Sequence, residues 1–174
     1  AYTVSTPACQ IREITISGTT PTVSNATVLT GTAGGLIVAG SATVVIAVST
    51  LTTHLYTEVF SIAGLAGGTG TDTNSGTMTL NRLFALGTRW GVIYNDGGTT
   101  VKGGVISLSS TTTTITTVTL FSASQILGTG LISSSKVCVT NAAATSNCNI
   151  LTDTAGTASA GTAITLSDAT THYP

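Results

Sequence analysis

An all-β fold, a jelly-roll-like β-sandwich with a short extended arm at its N-terminus, is what this sequence predicts. Three observations carry that expectation. Val, Ile and Thr dominate, with Thr alone supplying 39 of the 174 residues; β-branched side chains suit a pleated surface and lose χ1 freedom in a helix. Apolar and polar residues alternate over short runs, separated by turn-forming clusters such as GTAGG, GLAGGTGTDTNSG, NDGG and NAAATSN. No stretch carries the 3.6-residue period of a long amphipathic helix, and many short strands at short spacing point to a sandwich.

The chain divides into an arm, residues 1–10, and a sandwich domain, residues 11–174. In the arm Tyr2 and Val4 alternate with Thr3 and Ser5, and Pro7 and Cys9 follow. Strands are expected over 11–17, 23–30, 35–39, 42–51, 55–62, 77–86, 89–95, 99–108, 114–121, 126–132, 136–140 and 162–167. The clearest is the hairpin in WGVIYNDGGTTVKGGVISL, where Asp96-Gly97 supplies the positive φ that a tight turn requires. In TLNRLFALG a short helix fits about as well as alternation. SSTTTTITTVTLFS reads as a strand with hydroxyls pairing across the sheet, because a mucin-like stalk would carry more proline and no apolar positions. The Ala, Thr, Ser and Gly of 141–161 read as a long surface loop. Gly-Gly pairs at 34–35, 67–68, 97–98 and 103–104 read as turns or bulges.

Charge is the unusual quantity. Asp, Glu, Lys and Arg make up 6% of the chain and the net charge is −1, against roughly 25% charged residues in ordinary soluble domains. A solitary globule needs charge to stay apart from its copies. Hydrophobic residues at 41% and a mean hydropathy of +0.47 argue against disorder. A membrane-spanning helix is not expected, since no apolar run approaches about 18–20 residues; the longest candidate is broken by Gly40, Ser41 and Thr43. Five scattered basic residues, Arg12, Arg82, Arg89, Lys102 and Lys136, make no footprint for nucleic acid. What remains is a surface covered by copies of itself or hydrated by sugar. An extracellular setting is expected: the sequence opens on Ala, as after signal-peptide removal, Asn25-Ala26-Thr27 is a glycosylation sequon, and many threonines offer O-linked sites.

Groups for catalysis are scarce. His54 shares a strand face with Tyr56 and Glu58, which suits an acid–base or metal pair but is the pattern of an ordinary half-exposed strand histidine too. Asp72, Asp96, Asp153 and Asp168 are expected in loops or turns, and GTGTDTNSG offers one carboxylate where a calcium loop carries several. No nucleophile elbow, phosphate loop or Cys-x-x-Cys pair is present. No enzyme activity, metal or cofactor is therefore expected. Of the three cysteines, Cys138 and Cys148 bracket nine residues; a bridge there would close a hairpin end and add about 2–3 kcal/mol. Cys9 would then be the odd one, free or paired between molecules. All three pairings are open at this level.

A neutral, β-branched edge without lysine templates pairing with other chains. Donor-strand addition is the ordered version: the arm of one copy completes a sheet of the next, with Tyr2 and Val4 as plugs and Pro7 keeping the arm off its own sheet. Head-to-tail contacts that do not close propagate as filaments. Thr/Val/Ala/Gly-rich strands, very low charge and a short arm resemble the donor-strand pili of archaea. These are the bundling pili and threads, whose subunits are similar to bacterial biofilm fibre proteins of the TasA type. RWGVIYNDGGTTVKGGVISLSS resembles the Asn-x-Gly hairpin of that group. The resemblance implies a glycosylated pilus subunit, a homopolymer serving adhesion, cell–cell contact or biofilm. A secreted or viral coat sandwich, or a carbohydrate-binding adhesive module, are the other readings; the last would show exposed aromatics lining a groove, whereas Trp90, the only tryptophan, lies in a strand expected to be buried.

Overall fold

The structure, a computed structural model, describes residues 2–3, 9–12, 14–23, 27–28, 37–41, 43–51, 53–61, 71–74, 78–122, 126–141 and 145–168. Among these there are eighteen strands and no helix. β1 (Tyr2–Thr3) and β2 (Cys9–Ile11) pair antiparallel; β3 (Ile14–Ser17) and β4 (Thr20–Val23) form a separate hairpin; β5 (Thr27–Val28) returns to pair with β2, completing a three-stranded N-terminal sheet. β6 (Ile37–Gly40), β7 (Val44–Leu51), β8 (His54–Ser61) and β9 (Thr71–Asn74) make an outer sheet. β10 (Met78–Leu86), β11 (Arg89–Asp96), β12 (Thr100–Ser109) and β13 (Thr112–Phe121) make the central sheet. The C-terminal sheet joins β14 (Ile126–Ser133), β15 (Lys136–Asn141) and β16 (Thr145–Thr154). β17 (Thr157–Ala160) and β18 (Ile164–Asp168) lie end to end along the far side of β16.

Strand alternation turns these sheets into a layered sandwich. Trp90, Val92, Tyr94 and Ile106 leave one face of the central sheet and pack on Ile46, Val48, Leu55 and Val59 of the outer sheet. Ile93, Val101, Val105 and Leu120 leave the other face and pack on Val137, Val139 and Leu151 of the C-terminal sheet. The central sheet is thus buried on both sides, and β11 is buried from Trp90 to Asn95. On the far side of the outer sheet, Ala47 and Phe60 meet Ile11 of the N-terminal sheet. The register changes once in β10, between Leu80 and Arg82, and this bulge lets Leu80 and Leu83 serve one core while Phe84 and Leu86 serve the other. TLNRLFALG is therefore a strand.

Polar groups tie the layers. Thr113 donates to the Thr57 carbonyl at 2.9 Å, and the two hydroxyls lie 3.0 Å apart, both residues fully buried. The Thr-rich run is strand, as expected, although this hydroxyl pair joins two sheets and not neighbours in one. Asn149 donates to the Leu120 carbonyl at 2.9 Å, and Arg89 meets Asp153 at 3.1 Å.

Several expectations need correction. Apart from β18, which pairs with β16, the strands of the outer, central and C-terminal sheets follow chain order, so most connections there join sequence neighbours and are not jelly-roll crossovers. Within these sheets two or three residues separate successive strands, except for the nine between β8 and β9. The Asp96-Gly97 hairpin is present, with Gly97 and Gly98 at φ of 66° and 77°. Gly103-Gly104 is no turn or bulge. It lies inside β12, where an added Cβ would press on Leu151 and Leu120 from one face and on Val92 and Ile115 from the other. Residues 145–154 and 157–160, expected as loop, are β16 and β17. Asp72, Asp96, Asp153 and Asp168 all lie in strands. Within the arm Tyr2 pairs with Gln10 and Thr3 with Cys9, so its first strand folds back on its last residues.

Candidate assembly surfaces

The β3–β4 hairpin is exposed along its whole length. Its two-residue turn places Gly18 first, at φ 63°, the glycine-first arrangement of a type II′ hairpin. Cross-strand register pairs Ile14 with Val23 and Ile16 with Pro21 on one face, and Thr15 with Thr22 and Ser17 with Thr20 on the other. One face is wholly apolar and the opposite face wholly hydroxyl. Yet every residue of both strands is exposed, Ile14 by 62%, Ile16 by 70% and Val23 by 55%. Pro21 sits one pair beyond the turn, where the alternation of the ladder directs backbone groups outward. It therefore costs no hydrogen bond and removes a donor from the free edge of β4.

A second candidate surface is the outer face of the C-terminal sheet. Val137, Val139 and Leu151 point into the core, so their neighbours Cys138 and Ile150, which pair with each other, point away from it. Cys148 pairs with Ile164 across β16 and β18, and Ile164 is 59% exposed. Cys138 and Cys148 are joined by a disulfide with Cα atoms 6.4 Å apart, linking β15 to β16. This is one of the three pairings that the sequence leaves open; Cys9 lies in β2. Cys138, Cys148 and Ile150 are half-buried there, and Ile164 is the exposed apolar side chain of the group. Leu166, also exposed, sits where β18 bulges against β16.

The remaining candidates are accounted for plainly. Tyr2 lies in β1; Val4 and the sequon asparagine Asn25 lie outside the described residues. His54 and Tyr56 stack at a ring separation of 5.8 Å, and Glu58, on the same face, is buried. Among the described residues no three His, Cys, Asp or Glu side chains are grouped to hold a metal ion, and no helix is long and apolar enough to cross a membrane. A cleft of about 440 Å³ opens where the outer and central sheets end, lined by Val44, Trp90, Leu108, Ser41 and Ser110 among others. Trp90 is 6% exposed there, which leaves little ring face for a sugar to stack on.

Sequence reasoning misses the hairpin because it runs 11–17 as one strand and leaves 18–22 unassigned. Gly18 between the alternating runs ITIS and TPTV is the signal that reveals it. A scan of family models, a search of curated proteins and a search of solved structures each find no match to this chain.

Proposed function

We propose that this chain is the structural subunit of an extracellular filament, polymerising head to tail, with the N-terminal strand of one copy completing a sheet of its neighbour. The observation that carries the reading is a conjunction. The chain has five basic and six acidic residues among 174, and it still leaves apolar side chains more than half exposed on a hairpin at one end and on β18 at the other. Such a surface self-associates. The arm supplies the mode. β1 is held to its own chain by two residue pairs, so exchange onto the same position of a neighbour keeps the ladder and loses little. Adhesion, cell–cell contact or a biofilm matrix is the service such a fibre performs, and O- and N-linked sugar is the hydration it uses.

The test is deletion of residues 1–6 followed by electron microscopy. The full chain forms fibres and the truncated chain does not. A Thr3→Cys variant adds the direction of pairing, because Thr3 faces Cys9 across the β1–β2 ladder. Oxidised within fibres it yields a covalent ladder of multimers. A single monomeric band, or fibres from the truncated chain, overturns the proposal.

A further inference from the structure

We infer that the apolar face of the β3–β4 hairpin of one copy packs on the outer face of the next copy's C-terminal sheet, around Ile164 and the Cys138–Cys148 disulfide. This rests on the filament reading and names its second contact. Two strands alone are marginal in water, and here Ile14, Ile16 and Val23 share one face with nothing over it among the described residues. Something must cover that face for the hairpin to hold its shape. Contact is by face and not by edge, since Pro21 blunts β4 for strand addition.

Charge selects the occupant. Residues 14–23 contain no charged side chain, and the nearest in sequence, Arg12 and Glu13, are of opposite sign, so the hairpin itself offers no cluster of cations for phosphate groups or anionic lipid headgroups. The receiving face is matched in kind: Cys138, Cys148, Ile150 and Ile164 form its middle, and Lys136, paired with Thr152, stands at its margin. A neutral β-face fits another neutral β-face of this same charge-poor chain. Geometry then sets the outcome. The hairpin follows β2 directly, so it is tethered at the N-terminal-sheet end of the layers, while the C-terminal sheet forms the opposite end. Two different surfaces at opposite ends make a heterologous contact, which extends instead of closing as a dimer.

The experiment uses the full chain with Ile16→Lys and Ile164→Glu, both at exposed positions, with thermal unfolding to check that each variant folds. Light scattering and electron microscopy read the polymerised fraction. Each variant alone lowers it by about tenfold or more. An equimolar mixture restores it. In an alternating fibre each junction then sets the lysine introduced by I16K against the glutamate introduced by I164E, or else brings the two parental isoleucines together. Polymerisation of either variant at the parental level overturns the inference and leaves the filament reading intact if deletion of residues 1–6 still stops assembly. Recovery by mixing I16K with I16E, a hairpin-to-hairpin contact, overturns it as well. A parent chain that stays monomeric at its solubility limit removes both readings.

Discussion

At Tyr94 a large side chain is fully buried while its hydroxyl finds no hydrogen-bond partner. Burial raises the phenol pKa from its ordinary value to about 12; Thr117 lies close enough to oppose the shift without making a well-formed bond, and the charge of Asp96 adds to it. From about pH 10 to about pH 12 the unfolded chain has released this proton and the folded chain has kept it. Stability therefore falls as pH rises through that window, by about 2–3 kcal/mol in all. Urea unfolding at a series of alkaline pH values checks this: the Tyr94→Phe variant lacks that part of the slope and at neutral pH is no less stable than the parent. A steep alkaline loss of the same size in Tyr94→Phe places its cause elsewhere. Ser49 and Ser107 carry the same kind of unpartnered buried hydroxyl, so the cores tolerate polar atoms where backbone pairing fixes the strand.

Among the elements, β16 best separates what the sequence reveals from what it hides. Its core-facing positions are Asn147, Asn149, Leu151 and Asp153, so no apolar alternation marks it. The strand is held by polar bonds, of which those to Leu120 and Arg89 need partners distant in sequence. Asn149 donates to Leu120 while its side-chain carbonyl accepts from the Ile150 amide at 2.8 Å, and Asp153 receives the Gly156 amide at 2.7 Å as well as Arg89. Asn149→Ala leaves the buried Leu120 carbonyl unpaired and is expected to cost about 2–3 kcal/mol in chemical unfolding; a loss below 0.5 kcal/mol, roughly the level of a neutral surface change, would show that water replaces the amide. By contrast β10 to β13 are legible nearly to their ends. Val92, Tyr94, Val101 and Val105 belong to the apolar runs on either side of the hairpin, and Gly97 marks the turn between them. The cysteine pair is also within reach of spacing, whereas the pairing of Tyr2 and Thr3 depends on which strand lies nearest, and spacing says nothing of that. Within β10, Phe84 lies over Gly91 of β11 so closely that a Cβ there would overlap the ring; an aromatic facing a glycine fills a gap that neither residue announces alone.

For the whole molecule, composition announces the all-β class, and the layering comes from tertiary packing. A strand buried on both faces reads as a continuous apolar run, and GVIY at 91–94 is such a run, though it is too short to tell a middle layer from an ordinary core strand. Layering predicts a gradient of local stability. Amides of β11 and β12 exchange with solvent last, and those of β3 and β4 exchange first in the monomer, then slow on polymerisation. Hydrogen exchange read by mass spectrometry before and after assembly checks both parts, and a hairpin that exchanges equally fast in fibres contradicts its burial there. The two-sided hairpin has one more implication. With its greasy side against a neighbour, Thr15, Ser17, Thr20 and Thr22 turn toward the bathing medium. In a fibre of the proposed kind a sheath of alcohol groups would stay wetted without ions of its own, leaving brine little field to screen, so the grip between subunits is expected to hold alike in dilute and saline water.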